Sequence, residues 1–105
     1  MILDSLIVRS RERLVQLSTR SRVPTISGDA TFADAGGLMA YGPNIVRQFH
    51  RAAYYVDRIL KGTKPADLPV EQPRELDFVI NLKTAQALGL NIPHHVLLQA
   101  TEVIE

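Results

Sequence analysis

The sequence predicts an α/β fold with a mostly parallel sheet and flanking helices. Three observations point there. Short β-rich runs alternate with helical patterns through the first sixty residues, an order that favours parallel strands joined by right-handed crossovers. One long stretch, 45–60, is apolar at three- and four-residue steps. Gly36-Gly37, Gly42-Pro43 and Gly62 punctuate the elements.

Taken in order, Leu6-Ile7-Val8 after Asp4-Ser5 reads as a short buried strand. The segment from Arg9 to Arg22 reads as a helix, with Ser10 as its cap and Leu14, Val15 and Leu17 as its apolar side. Val23-Pro24-Thr25-Ile26 is a second strand, with Pro24 at its start, where a missing N–H does least harm. Residues 27–37 form a loop with one helical turn at 31–35. Gly37 to Tyr41 is a third strand, ended by Gly42-Pro43.

Ile45, Val46, Phe49, Ala53, Val56 and Leu60 share one face of the next element, and Arg47, Arg51 and Arg58 the other. This is an amphipathic helix of about five turns. Pro43 and Asn44 open it and Gly62 closes it. A loop follows at 64–69, then an extended piece, Val70 to Pro73. Leu76 to Ile80 alternates as a strand, either parallel or an edge partner. Asn81 or Thr84 starts a helix through Leu88, stopped by Gly89. Pro93 begins a last helical piece to Ala100, and Glu102 to Glu105 is a tail.

The 105 residues make one domain, with 46% apolar and 22% charged residues. No run approaches the ~18 uncharged apolar residues of a membrane span. Asp4 and Arg9 interrupt the apolar start, so no signal peptide is expected. The absence of cysteine excludes disulfides, thiolate metal sites and cysteine nucleophiles. Charge is uneven: net +3 over residues 1–22 and −3 over 62–105.

No phosphate loop, dinucleotide fingerprint or nucleophile elbow is present, so no enzyme and no cofactor is expected. His94-His95 are adjacent and point apart on a helix, which argues against a shared metal. Arg9, Arg11, Arg13, Arg20 and Arg22 lack aromatic neighbours for base stacking, so nucleic acid is not expected.

The candidate ligand residues lie where strands end. Open α/β sheets bind ligands beyond the carboxyl ends of their strands. Tyr41-Gly42-Pro43-Asn44 runs from a strand straight into a helix N-terminus, whose amides favour an anionic group such as a carboxylate. Ser27-Gly28 occupies the corresponding end of the previous strand, and Met39 lies on the strand between. The alternative for Tyr41 is packing on the sheet beside a tight strand-to-helix turn.

Phe32-Ala33-Asp34-Ala35-Gly36-Gly37-Leu38-Met39-Ala40-Tyr41-Gly42-Pro43-Asn44 resembles the F-x-x-A-G-G-L-M-S-Y-G-P-N segment of a bacterial family. The runs Arg51 to Gly62, Lys64 to Pro73 and Val79 to Ala85, then Gly89-Leu90, Ile92-Pro93 and the closing Glu102 to Glu105, extend the likeness over nearly the whole chain. They are similar to the C-terminal part of ABC transporter substrate-binding proteins related to tryptophan- and tyrosine-binding proteins. The resemblance implies one lobe of a type I periplasmic-binding-protein fold. It also implies a small solute such as an amino acid, an ABC permease as partner, a periplasmic location and no enzymatic activity.

Three departures accompany it. The family's chains are several times longer, so one lobe, the signal sequence and half of the cleft are expected to be absent. The family's loop between the strand at Leu6–Val8 and the helix near Arg13 is missing. Ala40 stands where the family has serine, which removes one possible ligand hydroxyl. A lone lobe exposes surface meant to be covered. A homodimer is therefore expected, with apolar surface from the long helix or from 76–88 at the contact and an antiparallel arrangement suited to the uneven charge. The alternative reading is a small oligomeric interaction module of the same fold with no transported ligand.

Overall fold

The computed structural model describes residues 4–105. The signal-peptide expectation begins in residues 1–3, which lie outside the described residues. The chain order is α1 (Ser5–Arg9), α2 (Arg11–Arg20), β1 (Ile26–Ser27), α3 (Ala30–Asp34), β2 (Met39–Pro43) and α4 (Ile45–Leu60). A 3-10 turn (Pro65–Asp67) follows, then β3 (Leu76–Asn81), α5 (Leu82–Ala87), α6 (His94–Leu97) and β4 (Glu102–Ile104). The fold is α/β with flanking helices, as expected. The four strands lie in the order β1-β2-β3-β4. The β1–β2 and β3–β4 pairings are parallel.

The central pairing, β2 with β3, is antiparallel. That refines the expectation for Leu76–Ile80: the strand is not an edge but lies between β2, to which it runs antiparallel, and β4, to which it runs parallel. The reason lies in the route of the chain. After β2 it leaves the sheet along α4, turns at Pro65–Asp67 and comes back alongside the helix. It re-enters beside its own exit, with Leu76 opposite Pro43. A chain that returns to the end it left needs no crossover and runs the other way. The helix and its returning strap, residues 69–75, form an arm. The particle measures 56 × 32 × 18 Å, and its radius of gyration of 17.3 Å exceeds the roughly 13 Å of a compact chain this long.

Leu6–Val8 is not a strand but part of α1. One Asp4 carboxylate oxygen accepts from Leu6 N at 2.7 Å and from Ile7 N at 3.2 Å, which caps a helix. Leu6 is exposed, and the sheet begins only at Ile26. Ser10 separates α1 from α2 and its side chain makes no capping bond. At the other end, Glu102–Ile104 is a strand rather than a tail, paired with Val79–Asn81. Val70–Pro73 belongs to no strand and forms part of the strap.

The core sits between the sheet and α3. Ala33, Ala40 and Val79 form a buried cluster, and Phe32 and Ile80 are the largest side chains near full burial. Asn81 ties the layers together: its Nδ2 donates to the Ala33 carbonyl at 2.9 Å and its Oδ1 accepts from Thr84 N at 3.2 Å. Among the described residues no buried side-chain nitrogen or oxygen lacks a partner.

Helix α4 takes no part in this core and buries none of its residues. Its ends are nonetheless well made. Asn44 Oδ1 accepts from Arg47 N at 3.0 Å, and the Thr63 and Gly62 amides donate to the Arg58 and Ile59 carbonyls. That Schellman closure puts Gly62 at φ +106°. Helix α2 closes the same way, with Val23 N donating to Ser18 O and Arg22 N to Thr19 O, but the left-handed position is Arg22, at φ +53°.

Candidate ligand-binding site

Strand pairing brings most of the predicted residues to one end of the sheet. Ser27 pairs with Ala40, and β1 ends there beside the last residues of β2. Gly28 and Gly42 then touch backbone to backbone: a Cβ on Gly42 would fall inside the Gly28 carbonyl. Only glycine permits so close an approach. Pro43 and Asn44 turn the chain out of the sheet into α4.

Alternation along a strand divides the candidates between faces. Ser27 lies on the face of Ala40 and Val79, and it is buried. Its hydroxyl accepts from Asp29 N at 3.2 Å, so it shapes the turn into α3. Met39 and Tyr41 occupy the other face, opposite Ile80 and Phe78. Tyr41 is 54% exposed and meets the Phe78 ring edge-on, with centroids 5.9 Å apart. It therefore packs on the sheet and still offers ring and hydroxyl to the outside. Ala40 is 1% exposed within the core cluster, so a hydroxyl at this position faces the interior.

Asn44 makes a hydrogen bond at each polar atom of its side chain. Besides capping α4, its Nδ2 donates to Asp77 Oδ2 at 2.7 Å. Asp77 and Phe78 join the candidate residues at this end of the sheet, and sequence reasoning missed them. The alternation of 76–80 marked a strand, but only the antiparallel register with β2 places Asp77 opposite Gly42 and Phe78 opposite Tyr41.

A second cluster lies in the arm. Arg51 donates to Glu71 through Nε at 2.8 Å and through a terminal nitrogen at 2.5 Å. The Arg51 guanidinium also stacks over the Tyr54 ring, 4.2 Å from its centroid. Tyr55 donates its hydroxyl to the Pro69 carbonyl at 2.9 Å, and Arg47 pairs with Glu75. The Arg51 hydrogen bond holds the Glu71 carboxyl down to about 2. The same bond raises Arg51, and desolvation, followed by Glu71, raises Tyr55. These contacts clamp the strap to the helix. A recess of about 400 Å³ between α2 and α5, lined in part by Val15, Arg20, Gly36 and Thr84, includes none of the predicted site residues. Among the described residues no group of three His, Asp or Glu side chains is placed to hold a metal ion. No helix there is long and apolar enough to cross a membrane.

Comparison with known proteins decides the family. The family model described as ABC transporter substrate binding protein matches residues 1–104. The chain belongs to that family. Family members are substrate-binding proteins rather than enzymes. This chain is 25% identical over 87 residues to the tyrosine-binding protein of Clostridioides difficile, covering 83% of this chain and 25% of that protein. It superposes on a conserved domain protein of Vibrio cholerae with a TM-score of 0.88 and 27% identity, over 96% of this chain and 34% of that one. It superposes equally well on the ABC domain of Streptococcus pneumonia solved in complex with L-Trp. There the TM-score is 0.86 and the identity 31%, over 97% of this chain and 35% of that one. The chain thus spans about a third of the solved chains it matches.

Proposed function

We propose that residues 1–105 are a single domain corresponding to the C-terminal lobe of a solute-binding protein, serving an ABC-type importer. The solute is an amino acid or a similar small organic molecule. The observation that carries this is the family match over residues 1–104, together with relatives described as binding tyrosine and as solved with L-Trp. The binding surface centres on the carboxyl ends of β1 and β2: Ser27 with Gly28 just beyond it, Tyr41 and Gly42 on β2 with Met39 at the start of that strand, and Asn44 at the helix entrance. The exposed Tyr41 ring suits an aromatic or branched side chain, and the entrance of α4 suits a carboxylate. The chain performs no chemistry on the solute and needs no cofactor. Its partners are the solute and an ABC permease, with no nucleic acid and no insertion into the membrane. Its place is the periplasm.

A shelf on one lobe contacts a ligand from one side and cannot exclude water from the other. Binding by this chain alone is therefore weak. Calorimetry and NMR titration with aromatic and branched amino acids test the reading. Shifts confined to 27–28 and 39–44, at millimolar ligand, support it. A sub-micromolar affinity of the monomer overturns the single-lobe account.

The second reading, an oligomeric interaction module without a solute, is favoured by two observations. Both polar atoms of the Asn44 side chain already hold a partner within the chain, and α4 presents a bare apolar face. No shift with any amino acid would favour it. Under either reading we propose a homodimer as the assembly.

A further inference from the structure

The carboxylate of Asp77 has a neutral partner and no counter-ion. It is half-buried and stands opposite Gly42 in the β2–β3 ladder. Asn44 Nδ2 donates to its Oδ2 at 2.7 Å, and an amide carries no charge. The ion pairs among the described residues are Arg47 with Glu75, Arg51 with Glu71 and Lys61 with Asp57, and none involves Asp77. Its other oxygen keeps full capacity to accept from a cation.

A second acceptor stands on the same face. Side chains directly opposite in an antiparallel pair share a face, with Cβ positions about 5 Å apart. Gly42 has no Cβ, and the Gly28 carbonyl fills the place that one would take. The Gly28 oxygen therefore lies beside Asp77, across a gap bordered by two residues without side chains. This is the α3 side of the sheet, shared with Ser27, at the carboxyl ends of β1 and β2, where open α/β sheets take their ligands.

Two oxygens, one charged, suit a compact cation with several donors. A primary ammonium has three N–H groups and reaches two oxygens at once, at roughly 2.8–3.0 Å from each. We infer that Asp77, assisted by the Gly28 carbonyl, receives the ammonium group of the solute and selects α-amino acids against carboxylic acids that lack it. The inference rests on the solute reading above and adds to it a residue, a face and a sign of charge.

The selection has two parts. An ammonium makes a charge-assisted hydrogen bond to Asp77. A solute with a carboxylate and no ammonium brings like charge to the same place and is repelled. Asn44 holds one oxygen of the carboxylate and leaves the other to the solute.

Three probes that share a phenyl ring and differ in their charged head test this. They are L-phenylalanine, phenethylamine without the carboxylate, and 3-phenylpropionate without the ammonium. In NMR titrations of the 105-residue chain, the first two should shift the amides of Gly28, Gly42 and Asp77 at millimolar concentration. The third should bind about tenfold more weakly than L-phenylalanine. Asp77→Asn removes the charge and keeps an oxygen for the Asn44 bond. It should weaken L-phenylalanine and phenethylamine about tenfold and leave 3-phenylpropionate unchanged or tighter. Asp77→Glu keeps the charge and should keep the preference for an ammonium. A structural role alone would weaken all three probes alike. Equal affinity of the native chain for L-phenylalanine and 3-phenylpropionate overturns the ammonium role and keeps the solute site. So does an Asp77→Asn variant that retains the native preference or loses all three probes equally. The comparison on the native chain decides even where a variant does not fold. No shift with any amino acid overturns the solute reading, and this inference with it.

Discussion

The Asn44 carboxamide bridges the arm and the sheet: its Nδ2 donates to Asp77 Oδ2 at 2.7 Å while its Oδ1 receives the Arg47 amide. One side chain thus caps α4 and pins its root to β3. Asn44→Ala removes both bonds and should cost about 1–2 kcal/mol. The loss should show first as fraying of α4, which has no core contact to retain it. Hydrogen exchange at residues 45–50 measures this, and unchanged protection there would exclude the pinning role.

Arg22 closes α2 in a left-handed conformation that other helices of this chain give to glycine. The strain of a Cβ at that position exceeds the entropy that glycine adds to the unfolded chain. Arg22→Gly should therefore stabilise the fold by about 0.5–1 kcal/mol. The thermal unfolding midpoint should rise by about 2–8 °C. A lower midpoint would show that the Arg22 side chain contributes more than its backbone loses.

Gly42 allows β2 to lie against the Gly28 carbonyl. The obstacle to any larger residue is backbone, which cannot rotate away. Gly42→Ala should cost about 2–3 kcal/mol, and should part the ends of β1 and β2. Chemical denaturation measures the cost. Loss of amino-acid-induced shifts at Ser27 and Gly28 would tie the same contact to the binding shelf.

The Arg51–Glu71 clamp predicts an acid response. The folded carboxyl titrates near 2 and the unfolded one near 4.5. A lowered folded pKa means the contribution is fully present above 4.5 and is lost as pH falls from there towards 2. The strap should loosen in that interval while the sheet persists. An NMR titration of Glu71 checks the midpoint, and Glu71→Gln should abolish the low-pH change in the signals of Tyr55 and Pro69.

Much of the fold was legible in the residues. The stripe of α4 and the capping pair Asn44 and Gly62 located that helix to within a residue, because an exposed amphipathic helix is written in local pattern alone. The strand at 76–80 was legible as a strand but not in its direction, since direction depends on the returning strap and not on local sequence. Leu6-Ile7-Val8 misled because three β-prone residues carry no period, and the Asp4 cap outweighed their preference. Glu102–Ile104 looked like a tail because three residues become a strand only when a neighbour supplies the ladder. In the site, Ser27, Gly28, Tyr41, Gly42 and Asn44 could be placed at strand ends from sequence. Asp77 and Phe78 could not, because cross-strand register brings them there.

The arm also governs how the molecule behaves in flow. A body 56 Å long and 18 Å thick drags more water than a sphere of its mass. Its Stokes radius is correspondingly large, and a size-exclusion column calibrated with round proteins will assign even a lone copy an inflated weight. Stoichiometry must therefore come from sedimentation equilibrium or light scattering, whose answer does not depend on shape.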